Sequence, residues 1–405
     1  VIRPLVLHST AEARRELERI GVDPAGIVRM LPKLELLPVL VPQLRAAAAN
    51  ILKQELLSLG GDAAVARGTV SCSVATTDVM LIGTRRQLHD LCGKLAGQPF
   101  SLPALGTQLQ ELLHTLGRPL PTWQLARREL SLQRPLIMGI LNVTPDSFSD
   151  GGRFATIEKA VEHALQMADQ GADIIDIGAE STRPGAPPVT AAEELSRLLP
   201  VVEQLADRLT IPISIDTWKA SVAEETLAAG AEIINDISGL TFDTALADVA
   251  AQRQAGLVLM HTRGTPETMQ QDTGYSDLLG EVAEFLQRSL HTALSAGIPR
   301  ERIVLDPGIG FGKDRVGNLQ ILQRLRELAG LGQPLLIGSS RKGFIGTTLG
   351  RDKTGDRLFG TAATVALAVA EGASVLRVHD VLAMRDVADM AYSIISAASP
   401  VTAPL

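Results

Sequence analysis

From Thr122 onward the hydrophobic pattern is regular. Short, continuous apolar runs alternate with longer amphipathic stretches, the runs falling at 136–141, 173–177, 211–215, 232–234, 257–260, 302–305, 334–337 and 374–378. Continuous apolar runs of this length predict strands buried on both faces. The stretches between them, such as 157–170 and 220–229, carry helical spacing. Eight such units in roughly 285 residues predict a TIM barrel, an α/β fold of eight parallel strands ringed by helices. An open doubly wound sheet is the runner-up, but no Gly-rich dinucleotide turn follows the first strand.

The earlier part of the chain is patterned differently. Residues 10–20 predict a helix that Ser9 or Thr10 caps and Gly21 ends. The Ala- and Leu-rich run 41–59 predicts a second helix, stopped by Gly60-Gly61. Strands are expected at 62–68 and 75–83, and helices at 85–95 and 105–116. Leu88, Leu91, Cys92 and Leu95 share one helix face, so Cys92 reads as a core residue. Residues 1–117 thus form a smaller α+β domain, Gly117 to Pro121 a linker, and 122–405 the barrel. His8, His89 and His114 are too scattered for a metal site. With no motif tied to chemistry, the first domain is expected to be accessory, an oligomer contact or a stability element.

Composition narrows the function. The 405 residues carry 38 Lys and Arg against 45 Asp and Glu, a net charge of −7, which argues against a nucleic-acid binder. Aromatic residues are only 3%, too few for base-stacking platforms. The two cysteines, Cys72 and Cys92, make neither a disulfide framework nor a zinc ligand set, and a reducing, cytoplasmic setting fits them. No apolar stretch reaches the roughly 18 residues of a membrane span. Val1-Ile2-Arg3-Pro4 lacks the basic start and apolar stretch of a signal peptide. The chain opens on Val1 rather than on an initiator methionine, which leaves room for upstream residues.

In a barrel the strands end at the catalytic face, so the residues just past them are the candidates. They are Asn142, the run Glu180 to Gly185, Asp216, Asn235 with Asp236, Met260 with His261, Asp306, the run Ser339 to Gly343, and Arg377 with His379 and Asp380. One such residue reads most simply as a cap or turn; polar groups at all eight ends read as a site. Asp216, Asp306 and Asn235 suit a planar heterocycle with ring N–H and amino donors, because a carboxylate accepts two parallel hydrogen bonds from such an edge. Lys342 suits a carbonyl oxygen or ring nitrogen on the same ligand. Arg377, His379 and Arg183 form a cationic group suited to phosphates. Asn142 offers an oxygen beside them for Mg²⁺, which takes few protein ligands. The Gly-, Pro- and Ser-rich loops after the first two strands suit lids. Residue types alone therefore point to an enzyme acting on a heterocyclic pyrophosphate.

The run Met138-Gly139-Ile140-Leu141-Asn142-Val143-Thr144-Pro145-Asp146-Ser147-Phe148-Ser149-Asp150-Gly151-Gly152 resembles the first-strand signature of the dihydropteroate synthases. So do Glu180-Ser181-Thr182-Arg183-Pro184-Gly185, the run Asp306 to Lys313, the run Ser340 to Gly346, and Arg377-Val378-His379-Asp380, all in the family's order. The resemblance covers Thr122 to the C-terminus. It implies a transferase of folate biosynthesis that joins 6-hydroxymethyl-7,8-dihydropterin pyrophosphate to p-aminobenzoate, giving 7,8-dihydropteroate and pyrophosphate. It also implies a Mg²⁺ cofactor, sensitivity to sulfonamides and a homodimer. Carried over by position, Asp216, Asn235, Met260, Asp306 and Lys342 bind the pterin. Arg183, Arg377 and His379 bind the pyrophosphate. Phe148, Thr182, Pro184, Phe311 and Ser340 surround p-aminobenzoate, Arg341 lines the pocket, and Asn142 is the Mg²⁺ ligand.

The chemistry this implies is cleavage of the C–O bond between the pterin methylene and pyrophosphate, by a dissociative path the electron-rich pterin supports. A neutral arylamine is already nucleophilic, so no strong base is needed, and no Ser-His-Asp or activated Cys arrangement stands in the chain. The N–H groups of 343–345 are a candidate anion site for the p-aminobenzoate carboxylate. Two local departures stand out. Gly317 precedes Asn318 where relatives have His-Asn. Thr262-Arg263 replaces a common Met and Gln, adding a cation expected to alter pterin preference. Rival readings are a methyltetrahydrofolate–corrinoid methyltransferase and a non-catalytic pterin-binding protein. The first is expected to lack the Ser-Arg-Lys and Arg-x-His signatures, the second to have lost Asn142, Asp306, Lys342 or Arg377; all are present.

Overall fold

The computed structural model describes residues 1–7, 9–118, 120–143, 153–180 and 189–397, with the backbone alone at 153–156. The chain divides into two compact units that meet at Pro119 and Leu120 in the sequence.

The first unit is α+β. Helix α1 (Thr10–Ile20) is capped by Ser9, whose Oγ accepts from Glu12 N at 3.2 Å, and is closed by Gly21 at φ 84°. Helix α2 (Pro24–Leu34), which the sequence pattern did not reveal, follows the Asp23 cap. Strand β1 (Leu36–Arg45), helix α3 (Ala46–Ser58), β2 (Asp62–Ala64), β3 (Thr76–Thr84), α4 (Arg85–Leu95) and α5 (Leu102–Leu116) complete it. The strands pair antiparallel in the order β1-β3-β2. Leu52, Leu56, Val79, Leu81, Leu88, Leu91 and Leu95 form the core, with Cys92 packed at its edge and its thiol pushed up by burial. The helix expected from residue 41 starts only at Ala46. Val41 and Leu44 instead pair with Val79 and Thr77 across a bulge in which Gln43 takes φ 51°. Pro42 has no N–H for a helix interior, so the alanine run governs only from residue 46. The strand expected at 62–68 shrinks to Asp62–Ala64.

The second unit opens with a hairpin, β4 (Thr122–Gln124) and β5 (Glu129–Ser131). Eight parallel strands follow: β6 (Leu136–Asn142), β7 (Ile174–Gly178), β8 (Ile213–Asp216), β9 (Ile233–Asp236), β10 (Gly256–Met260), β11 (Ile303–Asp306), β12 (Leu336–Ile337) and β13 (Val375–Val378). They run in the order β11-β10-β9-β8-β7-β6-β13-β12, and a parallel bridge between Leu305 and Leu335 closes the ring. Helices α6 (Arg153–Asp169), α7 (Ala191–Ala206), α8 (Ala220–Ala228), α9 (Leu246–Gln252), α10 (Leu278–Ser295), α11 (Arg315–Gln323), α12 (Gly343–Leu349), α13 (Leu358–Ala370) and α14 (Val381–Ser396) lie between and after the strands. This is the TIM barrel the alternating pattern predicts, with each strand close to its expected place.

Two sets of residues alternate along the strands. Ile175, Ile177, Ile213, Ile215, Ile234, Leu257, Leu259, Ile303 and Leu305 pack with the helices in the main core. Met138, Ile174, Ile233, Val258, Val304, Leu336 and Val375 form a separate cluster with Trp123 and Leu125 of the hairpin. Trp123 is fully buried, and its Nε1 donates to Arg302 O at 2.9 Å. The hairpin therefore plugs the N-terminal end of the barrel with an apolar floor. Two positions further along β7, β9 and β13, the same alternation delivers Asp176, Asn235 and Arg377. Among the described residues, no helix is long and apolar enough to cross a membrane.

Candidate active site

The polar strand ends gather at the C-terminal mouth. Arg377 lies at their centre: its Nε donates to Asp176 Oδ2 at 2.7 Å and its Nη2 to Asp216 Oδ2 at 2.7 Å. Asn235, buried on β9, donates from Nδ2 to the same Asp176 Oδ2 at 3.2 Å. Burial alone lowers the pKa of Arg377, but Asp176 and Asp216 outweigh it and hold the guanidinium protonated. Burial pushes Asp216 up; Arg377 opposes this and Asp176 adds to it. Arg377 thus has two carboxylate partners within the mouth.

The loop after β11 is built around backbone that only glycine tolerates. Gly308 has φ 70°, and a Cβ there would fall 2.0 Å from His261 O. The turn aims Gly308 N at Asp306 Oδ1, 2.7 Å away. Burial pushes Asp306 up to about 6 against that N–H and against Lys342. Lys313, also buried, reaches back under the loop to Gly308 O at 3.0 Å, Phe311 O at 2.8 Å and His261 Nδ1 at 2.8 Å. Burial brings Lys313 down to about 7 and drives His261 far down, so the imidazole is neutral. Lys342 lies 4.1 Å from the Phe311 ring centroid, its stem passing Gly310, where a Cβ would come within 3.1 Å of Cδ. Burial, then Arg377, brings Lys342 down to about 8. Met260 packs with Phe311, Ile237 and Met269 in an apolar wall beside these groups.

Across the mouth, buried Ser340 Oγ accepts from His379 N at 3.2 Å and lies 3.0 Å from His379 Nδ1. Residue types grouped His379 with the cations. Burial, then Arg377 and Arg341, lowers it to about 3, so it is a neutral hydrogen-bonding group. Arg341, at φ 57°, makes a two-pronged bond to Asp380, with Nε to Oδ2 at 3.0 Å. Asn142 is exposed at the end of β6. A cavity of about 610 Å³ opens on this flank, lined by Asn142, His163, Gln166, Arg341, His379 and Asp380. Asp216, Asn235, Asp306 and Arg377 are not among its lining residues. Phe148, Thr182, Arg183 and Pro184, like His8, lie outside the described residues.

The family profile for pterin binding enzymes matches residues 138–379. The chain belongs to the pterin-binding enzyme family. Within that family it is 50% identical over 259 residues to the dihydropteroate synthase of Synechocystis, covering 64% of this chain and 90% of that protein. A probable bifunctional folylpolyglutamate synthase/dihydropteroate synthase of Halobacterium salinarum is 42% identical over 379 residues. That match takes in 93% of this chain, its first unit included, but 45% of the relative. Among solved structures, the Clostridium difficile dihydropteroate synthase with pteroic acid aligns at TM-score 0.62 and 47% identity, over 65% of this chain and 97% of that one. The Xanthomonas albilineans enzyme with 4-aminobenzoic acid aligns at TM-score 0.65 and 44% identity, over 68% and 98%. The methyltransferase and non-catalytic alternatives give way to synthase function.

Both local departures from the family pattern are accommodated. Asn318 is buried after α11 begins; its Oδ1 accepts from Gly310 N at 2.6 Å and its Nδ2 donates to Asp314 O at 2.7 Å. Arg263 is the added cation expected beside the pocket. It stacks on Tyr275 at 3.8 Å and pairs with Glu281, while Tyr275 Oη donates to Gly312 O at 2.8 Å. Arg263 is engaged in bracing the loop that carries Phe311.

Three residues bonded to these groups or to the loops beside them escaped the sequence. Asp176 stands two residues before the end of its strand, in a run whose neighbours are apolar. Lys313 was visible within the Asp306 to Lys313 run but had no role until its three acceptors were seen. Lys219 Nζ binds both Glu180 and the fully buried Glu194, and Glu180 Oε1 accepts from Val189 N at 3.0 Å. That ties together the described residues flanking 181–188; long sequence separation hid it.

Proposed function

We propose the following division of labour within this dihydropteroate synthase barrel. Asp216, Asn235, Asp306 and Lys342 hold the pterin, with Met260 against its ring. Arg377 and His379, together with Arg183, receive the pyrophosphate. Phe311 and Ser340, with Phe148, Thr182 and Pro184, enclose p-aminobenzoate, and Arg341 lines the pocket. The observation that carries this reading is the convergence of Asp216, Asn235, Asp306 and Arg377 on one mouth above an apolar floor. Asp306 Oδ2 makes no hydrogen bond among the described residues, leaving it for the amino edge of the pterin. Relatives supply the ligand classes: the Yersinia pestis enzyme was solved with a sulfonamide drug, and the Xanthomonas enzyme with 7,8-dihydropteroate.

With the pterin seated, the C–O bond to pyrophosphate breaks and its electron pair leaves with the oxygen. Arg377 stabilises the growing negative charge, and His379 adds a hydrogen bond. The arylamine nitrogen then bonds to the methylene carbon and gives up one proton to water or pyrophosphate. Burial of the mouth keeps competing water from the methylene. Asn142 fits Mg²⁺ as a lone neutral oxygen ligand for an ion that keeps its waters and phosphate oxygens. Among the described residues no group of three His, Cys, Asp or Glu is placed to hold a metal by itself. Such an ion would neutralise charge on the departing phosphates.

A homodimer is supported by apolar side chains left in solvent on the last two helices: Phe359, 84% exposed, and Leu367 on α13, and Leu382, Met390 and Ile394 on α14. The test of the whole reading is pyrophosphate release by the purified protein. Release that requires both dihydropterin pyrophosphate and p-aminobenzoate is expected; release from the pterin substrate alone at the same rate refutes the division of labour.

A further inference from the structure

The acids at the rim, Asp216 and Asp306, end their strands, whereas Asp176 lies two positions before the end of β7. Asp176 is fully buried. Its Oδ2 gathers two donors from different strands, Arg377 Nε at 2.7 Å and Asn235 Nδ2 at 3.2 Å. Its Oδ1 is buried with no hydrogen-bond partner among the described residues, as is Oγ of Ser214, its register partner on β8. A carboxylate in such a place is strongly unfavourable unless paired, and an apolar side chain would fill the space at less cost. Met138, Ile174 and Ile233 do so one layer below. Packing therefore does not account for an acid at this position; the two groups it holds do.

The two carboxylates on Arg377 differ in access. Asp216 is only partly buried at the mouth, and its Oδ2 is already taken by Arg377 Nη2. A pterin edge reaching that oxygen competes with the guanidinium. Asp176, by contrast, is fully buried. Resting on the assignment of Arg377 to pyrophosphate and Asn235 to pterin, we infer that Asp176 is a positioning residue for the synthase reaction. It anchors the Arg377 guanidinium at Nε and the Asn235 amide while Asp216 exchanges Arg377 for the pterin. The guanidinium then turns about a fixed bond toward the leaving group instead of following Asp216.

The test is a double-mutant cycle in the full chain with Asp176→Asn and Arg377→Met, read by pyrophosphate release under varied p-aminobenzoate. Asp176→Asn is expected to lower kcat by about 30-fold or more, with the KM for p-aminobenzoate within about twofold of the parent. With dihydropterin pyrophosphate saturating, a weakened Asn235 contact does not limit the rate and the loss in kcat runs through Arg377, so the double variant is expected within about threefold of Arg377→Met alone. A merely structural acid would lower the folded fraction and leave the kcat of the folded protein unchanged. Multiplicative losses in the double variant, or parental kcat in Asp176→Asn, overturn the inference. If Asp176→Asn fails to fold, Asp176→Glu keeps the charge and moves the carboxylate by one methylene. It is expected to lower kcat about tenfold or more with the same KM for p-aminobenzoate, and parental kinetics overturn the inference. An inactive parent overturns the functional assignment and this role with it; an active parent with multiplicative losses overturns the role of Asp176 alone.

Discussion

Asp306→Asn separates what a buried carboxylate gives to binding from what it costs the fold. Burial raises the Asp306 pKa from 3.8 to about 6. Two units at about 1.4 kcal/mol each correspond to about 3 kcal/mol withheld from stability while the group is ionised. The sign follows from the folded value lying above the unfolded one. Below about pH 4 both states are protonated and the cost vanishes; it grows as the unfolded state ionises, and is complete above about pH 6. Asparagine keeps an oxygen for the Gly308 N–H but buries an amide of its own. The ligand-free variant is therefore expected to be about 1–3 kcal/mol more stable near neutral pH, with the gain fading toward pH 4. Pterin binding should move the other way. Losing charge-assisted bonds, with one acceptor turned into a donor facing a donor, costs about 1.5–3 kcal/mol, roughly one to two decades in Kd. Denaturant unfolding across this pH range and calorimetry with 6-hydroxymethyl-7,8-dihydropterin measure the two effects. A variant less stable than the parent at neutral pH refutes the stability argument, and undiminished pterin affinity refutes the binding role.

The barrel brings its own floor, so a chain starting at Pro121 should fold and keep synthase activity; soluble, monodisperse but inactive protein would give the first unit a part in the site. Trp123→Ala in that same chain should cost about 3–5 kcal/mol in urea unfolding by emptying the plug, and a loss below about 1 kcal/mol would show the floor to be dispensable. Arg263→Gln should leave pterin affinity within about twofold while raising the KM for p-aminobenzoate, because Arg263 braces the Phe311 loop; a selective change in pterin affinity by calorimetry would contradict this. Thr182→Ala should raise the KM for p-aminobenzoate and weaken sulfonamide inhibition with little change in pterin binding, and the reverse pattern in steady-state kinetics would reassign the residue.

The order of elements in the barrel was legible because fully covered parallel strands leave a continuous apolar signature of set length, and helices between them repeat at a different period. The candidate chemistry was legible for a related reason: the mouth is made of strand ends, so Asn142, Asp216, Asn235, Asp306, Lys342 and Arg377 follow directly once the strands are located. The hairpin floor was hidden, since Thr122–Gln124 and Glu129–Ser131 are too short for periodicity to speak. The start of α3 was misplaced because the alanine run was extended back across Pro42, whereas Val41 to Arg45 pairs with β3 as a strand. Which charges are free is likewise a tertiary matter. The sequence offered Arg263 as an added cation beside the pocket and grouped His379 with the cations; packing against Tyr275 and Glu281 engages the first, and burial near Arg377 and Arg341 neutralises the second. Asp176 is the plainest case. As a residue it is one acid in an apolar run, and it becomes the anchor of Arg377 only because ring closure brings β13 and β7 to either side of β6, joining groups 201 residues apart inside one low-dielectric core.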